Sequence, residues 1–361
     1  MYYNSRHGGD LYQAAALAGV PKDNIVDLST NTNPLGTPLV VPQFLLKNMN
    51  EILNYPDLEY RLLYKGLEDF SSMPSENIIA GNGASEIINL FISVVKPKRI
   101  LIVHPTYGEY ERESSKFKAK IDYYVPEDLC LDFQELKNKF PKYNAVFICN
   151  PNNPTGKLIP KISLLELLPL THDTWLFVDE SFMDFVTESE SYSLRNIVKN
   201  AKLFILHSLT KIYAIPGLRI GCGYGPADLI ARMRENQIPW SINNFAVIAA
   251  IQAMRDSDFI KASQENIKSL RAYVEKLILP IANIRLVPSD VNFFLLNISQ
   301  TGYTSSSLQE RLLQKGYLVR NCNTFPGMKE DYIRIALRDK DIMTDFVYAL
   351  REVLEGGDLI D

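Results

Sequence analysis

One lysine of the chain lies in a setting suited to covalent chemistry. Lys211 ends the segment Ser208-Leu-Thr-Lys, which follows the apolar run Leu203–Leu206, and Arg219 comes shortly after it. A lysine after a strand is usually a solvated surface residue, so its position alone indicates little. Hydroxyls, glycines and an arginine around it suit a phosphate held beside an amine. A lysine whose pKa is lowered by cationic or apolar neighbours becomes a Schiff-base nucleophile.

An acid follows a second apolar run, where Trp175–Val178 leads into Asp179 and Glu180. Taken alone, this acid fits a helix N-cap with a solvated neighbour, or a Mg²⁺-holding carboxylate of an NTPase. The NTPase interpretation lacks its phosphate loop: no GxxxxGK[ST] occurs, and Gly156-Lys157 has neither the upstream glycine nor the following Ser or Thr. An aspartate at a strand end can instead pair with a pyridinium nitrogen and keep that ring cationic as an electron sink.

Two loops add polar groups beside the same predicted strands. Gly81–Glu86 is glycine-rich and opens the helical run Glu86–Val95, so its backbone N–H groups and the helix dipole can hold an anion. Asn150–Gly156 is a proline-fixed turn, from which Asn153 could donate to a ring oxygen. Gly221–Gly225 lacks the GxGxxG spacing and indicates strand glycines packed near a site rather than a dinucleotide fingerprint.

The elements that must position these residues alternate between short apolar runs and longer stretches of helical period. This pattern predicts an α/β fold with a mostly parallel central sheet. The predicted strands are Ile78–Ala80, Arg99–Val103, Ala145–Cys149, Trp175–Val178, Leu203–Leu206 and Arg219–Gly223. The predicted helices are Glu86–Val95, Tyr107–Lys118 and Pro226–Ala253, with further helix to roughly Leu279. Ligands of such sheets collect beyond the carboxyl ends of the strands, where the polar residues above lie.

Later short segments predict a smaller α+β lobe: Asn292–Leu296, Tyr317–Arg320 and Tyr332–Leu337. We therefore predict three parts of the chain. Residues 1–40 form an N-terminal arm that contributes to the small lobe and the substrate site, with an irregular segment at Asn31–Pro42. Residues 41–250 form the large domain, and residues 251–361 form the small C-terminal domain.

Composition excludes several classes of protein. The 361 residues carry a net charge of -4, which provides no bulk basic field for nucleic acid. The four cysteines form no CxxC pair, so neither a metal site nor a disulfide framework is predicted. The N-terminus has no apolar signal core, and no apolar run approaches the roughly 18 residues of a membrane span. We expect a soluble cytoplasmic protein without nucleic-acid or membrane partners.

The four elements, in this order, strongly resemble the fold type I pyridoxal-phosphate enzymes of the aspartate aminotransferase superfamily, across essentially the whole chain. The resemblance implies that Lys211 binds the cofactor covalently, that Asp179 pairs with its pyridine nitrogen, and that Asn153 holds the ring hydroxyl. It implies stacking by Tyr107, and the remaining cofactor-binding residues are Gly83, Ala84, Ser85, Ser208, Thr210 and Arg219. Tyr55 matches a tyrosine that reaches the phosphate from a neighbouring subunit, which implies a homodimer.

One position departs from the resemblance. Many of these enzymes have a tyrosine three residues after the ring-binding aspartate, and this chain has Phe182 there. The hydroxyl that the tyrosine gives to the ring oxygen is therefore absent. We expect electronic tuning of the cofactor that differs from a typical aminotransferase.

Within the superfamily, the His7-Gly-Gly start and the segments around Asn31, Lys211 and Ile238–Asn243 resemble the threonine-phosphate decarboxylases of cobalamin biosynthesis, which are relatives of histidinol-phosphate aminotransferases. Their product, (R)-1-amino-2-propanol phosphate, is a linker precursor of the cobamide nucleotide loop. The resemblance implies a small phosphorylated amino acid as substrate. Its implied binding residues are His7, Gly8, Asn31, Asn153, Arg320 and Arg334.

Alternatives remain open from the sequence. Threonine phosphate and serine phosphate differ by one methyl group, which no motif reads out. A histidinol-phosphate-type aminotransferase is the second hypothesis, and a noncatalytic binding protein on the same fold is the third. His7 could be a solvated terminal residue, and a buried Arg334 could pair with a structural acid such as Asp331 or Asp339 instead of a ligand.

Overall fold

The computed structural model describes residues 7–356; residues 1–6 of the predicted arm and 357–361 of the predicted small domain lie outside the described residues. The strands in chain order are β1 (Val26–Asp27), β2 (Ile78–Gly81), β3 (Arg99–Val103), β4 (Lys120–Tyr124), β5 (Ala145–Cys149), β6 (Trp175–Asp179), β7 (Leu203–His207), β8 (Gly221–Tyr224), β9 (Arg285–Val287), β10 (Phe293–Asn297), β11 (Tyr317–Leu318), β12 (Arg320–Asn321) and β13 (Tyr332–Ala336).

The α-helices surround and connect these strands. In chain order they are α1 (Leu11–Ala18), α2 (Val40–Lys47), α3 (Arg61–Ser71), α4 (Gly83–Val95), α5 (Glu109–Lys116), α6 (Phe133–Lys139), α7 (Lys161–Leu165), α8 (Leu209–Ile212), α9 (Ala227–Glu235), α10 (Asn244–Met254), α11 (Ser257–Ile278), α12 (Ser305–Gln314) and α13 (Lys340–Glu355). None of the helices within residues 7–356 combines the length and the apolar character needed to cross a membrane.

A seven-stranded sheet in the order β2-β8-β7-β6-β5-β3-β4 forms the centre of the molecule. Its neighbours pair in parallel except at β8, which is antiparallel to both β2 and β7. The inner strands are mostly apolar because helices cover both faces; β5 and β7 are buried along their whole length. The predicted α/β fold with a mostly parallel sheet is confirmed.

A second, antiparallel sheet has the order β12-β13-β10-β9 and packs near α11, α12 and α13. The arm reaches this region, since β1 pairs in parallel with β11 and the Leu28 carbonyl accepts a hydrogen bond of 2.8 Å from Ala336 N. The arm, small-domain and large-domain boundaries stay predictions, because contacts of this kind do not fix where one unit ends.

Two sequence predictions are wrong in detail. The segment Pro226–Ala253 is not one helix: α9 ends at Glu235 and α10 begins at Asn244, with Trp240 between them at φ 57°. The predicted strand Arg219–Gly223 begins only at Gly221, because Arg219 takes a left-handed backbone conformation at φ 58° after the turn Pro216–Leu218. That turn brings the Arg219 side chain to the carboxyl edge of the sheet.

Several elements escaped prediction because their sequences lack a continuous apolar run. Strand β4 lies at the edge of the central sheet, and most of its residues are partly exposed. Helices α1, α2 and α3 fall in a proline- and tyrosine-rich region that carries mixed signals. Strand β9, similarly, is a three-residue edge strand with one buried position.

Candidate active site

A cavity lies at the carboxyl edge of the central sheet, where the chain leaves β3, β5, β6 and β7. Its lining includes all the predicted site residues except Gly83 and Tyr55. Four basic side chains face it, from Lys211, Arg219, Arg320 and Arg334, whereas its acids are Asp179 and Glu111. This balance of charge favours anionic ligands.

One end of the cavity has the features of a phosphate cradle. Helix α4 starts at Gly83, and its N-cap residue Asn82 makes no side-chain capping bond, which leaves first-turn N–H groups available to an anion. The Ser208 and Thr210 hydroxyls line the same region and lie 2.8 Å apart. Arg219 closes the cradle from the other side.

Gly83 is required for this arrangement. A Cβ atom at Gly83 would lie 2.5 Å from Arg219 Nη2, and the backbone there has φ 76°, which L side chains rarely adopt. The guanidinium thus rests directly against the start of α4. Because a phosphate needs several converging donors and a cation, this donor set fits the phosphate group of a bound cofactor.

Lys211 lies on the short helix α8, which follows β7, and its side chain reaches the cavity. Burial lowers the pKa of Lys211 to about 8, and the nearby positive charges of Arg334 and Arg219 act in the same direction. The neutral amine is therefore more populated near neutral pH than in a solvated lysine. This is the condition under which a lysine acts as a nucleophile.

Asp179 ends β6 and is 4% exposed. Its Oδ1 accepts a hydrogen bond of 2.8 Å from Ser181 N, and its Oδ2 accepts one from the Tyr110 hydroxyl. Burial raises the pKa of Asp179, while the hydrogen bonds from Ser181 and Tyr110 oppose that change. Phe182 also lines the cavity, so the position where the sequence predicts a missing hydroxyl lies at the site.

The opposite wall carries two arginines on neighbouring strands. Arg320 of β12 and Arg334 of β13 are direct cross-strand partners, and both are buried. Arg334 donates to the side-chain oxygen of Asn153 and, at 2.6 Å, to the Ser29 carbonyl. Burial lowers the pKa of Arg334 to about 10, and repulsion from Arg320 contributes to the shift.

The structural-acid alternative for Arg334 finds no support among the described residues. Within residues 7–356, Arg334 forms no salt bridge with Asp331, Asp339 or another acid. Its Nε is buried without a hydrogen-bond partner there. Since a buried guanidinium without a counter-charge is costly, the wall is suited to binding an anion.

The arm contributes His7 and Gly8 to the cavity. The His7 side chain is 45% exposed, and its Nε2 lies 2.9 Å from Glu109 Oε1, so it is not simply solvated. The hydrogen bond with His7 lowers the pKa of Glu109. A Cβ at Gly8 would lie 2.3 Å from the Ser29 carbonyl oxygen, so only glycine allows the arm to pack this closely.

Two orphaned polar atoms also mark the cavity. Asn31 Oδ1 and Thr106 Oγ1 are buried, and neither has a hydrogen-bond partner among residues 7–356. Each unsatisfied group of this kind costs free energy unless a ligand or water meets it. Their position in a basic cavity therefore adds to the evidence for a polar ligand.

Tyr55 lies away from this cavity. Its side chain is 81% exposed and packs on the Trp240 ring, with centroids 5.0 Å apart. Further apolar residues are exposed in the same stretch of sequence, which are Leu39, Leu46, Met49, Ile52, Leu53, Leu58 and Leu62. We call this set the apolar surface.

Sequence reasoning missed three residues that bear on the site. Tyr110 hydrogen-bonds Asp179, Glu109 hydrogen-bonds His7, and Thr106 presents its unpaired hydroxyl to the cavity. All three lie close to the predicted Tyr107: Thr106 is in the loop after β3, and Glu109 and Tyr110 are in the first turn of α5. Their grouping in the sequence was the available signal, but their targets lie on other elements.

The aminotransferase class I and II family model matches residues 23–350, and the chain belongs to this family. The cofactor of the family is pyridoxal 5′-phosphate. A threonine-phosphate decarboxylase from Salmonella typhimurium is 34% identical over 361 residues, with 98% of each chain covered.

Two solved structures extend the comparison. A histidinol-phosphate aminotransferase from Clostridium acetobutylicum is 32% identical, with a TM-score of 0.86 over 91% of this chain and 99% of that one. An L-threonine-O-3-phosphate decarboxylase from Porphyromonas gingivalis is 27% identical, with a TM-score of 0.82 over 92% of this chain and 100% of that one. Both chemistries therefore occur among proteins similar to this chain.

Proposed function

We propose that the protein is a decarboxylase of an O-phosphorylated hydroxy amino acid. The observation that carries the proposal is the cross-strand pair Arg320 and Arg334 in the wall of the Lys211 cavity. Within residues 7–356, Arg334 forms no salt bridge, and its Nε is buried without a hydrogen-bond partner. A substrate that carries both a carboxylate and a phosphate would bring an anionic group to this guanidinium, while the cradle at Arg219 would hold the cofactor phosphate.

We assign the cofactor roles as the sequence predicted them. Lys211 binds the cofactor, Asp179 pairs with its ring nitrogen, and Asn153 holds its ring oxygen. Tyr107 stacks on the ring, Ala84, Ser85, Ser208 and Arg219 hold the phosphate, and Gly83 and Thr210 are further cofactor-binding residues. The uncapped start of α4 and the close approach of Arg219 to Gly83 support this assignment.

Bound pyridoxal phosphate supplies an electron sink for the bond that breaks at the substrate Cα. The orientation in which the protein holds the substrate determines which bond breaks. His7, Gly8 and Asn31 on one side, with Arg320 and Arg334 on the other, would fix the phosphate and carboxylate, so that remote binding energy orients the reacting carbon. Lys211 Nζ, with its lowered pKa, would then deliver the proton that replaces CO₂.

The preferred substrate is L-threonine O-3-phosphate, giving (R)-1-amino-2-propanol phosphate for the cobamide linker. L-serine O-phosphate, giving ethanolamine phosphate, is the variant that lacks one methyl group. The similarity to the Salmonella typhimurium decarboxylase supports this chemistry. A methyl-sized difference changes binding by only about 1–3 kcal/mol, so the relative rates must decide between the two substrates.

A histidinol-phosphate-type aminotransferase is the second candidate. The 32% identity and the TM-score of 0.86 to the Clostridium acetobutylicum enzyme favour it. A noncatalytic binding protein is the least supported interpretation. Lys211, Asp179 and Arg219 face one cavity, and a binding protein would have no need to keep all three there.

The test is CO₂ release with product mass, using purified protein loaded with pyridoxal phosphate. L-threonine phosphate and L-serine phosphate are offered separately without an oxo-acid acceptor, and Lys211→Ala protein serves as the control. Release from either substrate supports the decarboxylase. The decarboxylase is refuted if neither substrate releases CO₂ and the protein instead forms glutamate from histidinol phosphate and 2-oxoglutarate. That result would identify an aminotransferase.

We further propose a homodimer in which the apolar surface is the interface and Tyr55 reaches the partner's cofactor phosphate. Large exposed apolar areas on one side of a protein mark interaction sites, and Tyr55 is too exposed to serve its own cavity. The proposed setting is the cytoplasm, with the phosphorylated amino acid as the small-molecule partner.

A further inference from the structure

Tyr110 is fully buried, and its hydroxyl donates to Asp179 Oδ2. We propose that Tyr110 is a positioning residue that keeps Asp179 ionised and oriented for the cofactor ring nitrogen. The inference rests on the proposed role of Asp179 and adds a residue that acts through it. It concerns the cofactor site, so it does not depend on which substrate is used.

The surroundings of Tyr110 show why its hydroxyl needs an explanation. The ring packs among aromatic side chains, with centroids 5.6 Å from Phe147 and 6.0 Å from Phe177. A phenylalanine would serve this packing equally well. Burying a hydroxyl is costly unless it finds a partner, and Asp179 provides that partner.

The hydrogen bond acts on one protonation state of Asp179. A carboxylate that is 4% exposed is pushed towards its neutral form by the loss of water. A donated O–H stabilises the ionised form, and bonds to charged acceptors are roughly twice as strong as neutral ones. Burial also raises the pKa of Tyr110 well above its usual range, so the phenol keeps its proton and remains a donor.

The same contact fixes the plane of the carboxylate. Ser181 N holds Oδ1 at 2.8 Å, and Tyr110 holds Oδ2, so both oxygens of Asp179 are anchored from within the protein. Each carboxylate oxygen has a second acceptor site that these bonds leave available. The side chain therefore does not need to reorganise when a cationic ring nitrogen meets it.

Phe182 increases the importance of this contact. It lines the cavity but offers no hydroxyl, and its ring packs edge-on against Phe293 at 5.2 Å. The ring-oxygen side of the proposed cofactor position thus lacks one donor. The charge of the cofactor ring therefore depends more on the contacts of its nitrogen, which Asp179 and Tyr110 would provide.

The experiment compares Tyr110→Phe with Tyr224→Phe. Tyr224 is also fully buried and lies outside the cavity lining, and its hydroxyl accepts a hydrogen bond of 3.3 Å from Cys222 Sγ. For each variant we would titrate apoprotein with pyridoxal phosphate and follow the visible absorption of the bound cofactor against pH. Thermal unfolding of both variants checks that they fold.

In Tyr110→Phe we expect cofactor affinity to fall about 10-fold or more, because a less ionised and less well oriented Asp179 attracts the cationic ring nitrogen more weakly. The pH midpoint of the absorption change should rise by about one unit. When the ring nitrogen carries less positive charge, the group whose titration changes the absorption is protonated more easily. Tyr224→Phe should leave both quantities close to those of the unaltered protein.

A double-variant cycle separates positioning from packing. In an Asp179→Asn background, adding Tyr110→Phe should cause little further change in affinity or midpoint. Equal effects with and without Asp179, or an unchanged Tyr110→Phe, would overturn the inference. None of these readouts needs a substrate, so a failure of the decarboxylation assay would leave this test intact.

Discussion

The approach of Arg219 to Gly83 leads to a quantitative prediction for Gly83→Ala. The new Cβ would lie 2.5 Å from Arg219 Nη2, too close for both groups to keep their positions. The guanidinium must move away from the phosphate cradle. Losing one charge-assisted hydrogen bond costs about 1.5–3 kcal/mol, so we expect affinity for pyridoxal phosphate to fall about 10- to 150-fold.

Gly36→Ala is a matched control for the backbone effect. Both glycines have φ 76°, but a Cβ at Gly36 meets nothing within 4 Å. Forcing alanine into this conformation costs about 1–2 kcal/mol at either position, so both variants should unfold at similarly reduced temperatures. Titration of the two apoproteins with cofactor then isolates the displaced arginine. Equal affinities in the two variants would refute the proposed contact between Arg219 and the phosphate.

Three further outcomes are expected. Lys211→Ala should abolish turnover with an unchanged circular dichroism spectrum, and residual activity at the normal rate would contradict its role. Burial opposes the charged form of His207, but the carboxylate of Asp184 outweighs it and raises the pKa of His207 to about 10. The charged pair therefore stabilises the fold fully below about pH 6.5, and this stabilisation is lost as the pH rises towards 10. The Tm difference between the unaltered protein and His207→Gln should therefore shrink over that range, and a constant difference would argue against the ion pair. Leu53→Lys, on the apolar surface, should shift sedimentation towards a monomer and lower cofactor retention, whereas an unchanged dimer would place the interface elsewhere.

The central strands could be predicted because both of their faces are buried. Such strands are continuous apolar runs, and the predictions for Arg99–Val103 and Ala145–Cys149 agree with the structure residue by residue. The polar residue that follows each run then lies at the carboxyl edge. This relation alone predicts from the sequence that Asp179 and Lys211 lie near one another.

Contacts between distant segments could not be predicted in the same way. The bend at Arg219 depends on a left-handed residue that no local propensity favours. The pairing of Tyr110 with Asp179 joins a helix to a strand 69 residues away. A residue's type can suggest a hydrogen-bond donor, but only the packing of α5 against β6 determines which acceptor it meets.

Arg334 shows how the predicted parts of the chain come together in one site. Its guanidinium belongs to β13, yet it donates to Ser29 in the arm and to Asn153 after β5. One planar group with several donors can make these contacts and still present a charged face, which a lysine's single ammonium cannot do. The wall proposed for the substrate and the residue proposed for the cofactor ring oxygen are therefore in direct contact. If the proposed roles hold, a carboxylate bound at Arg334 would change the hydrogen bond to Asn153 without any movement of the backbone. Substrate recognition and cofactor chemistry would then be coupled through a single side chain.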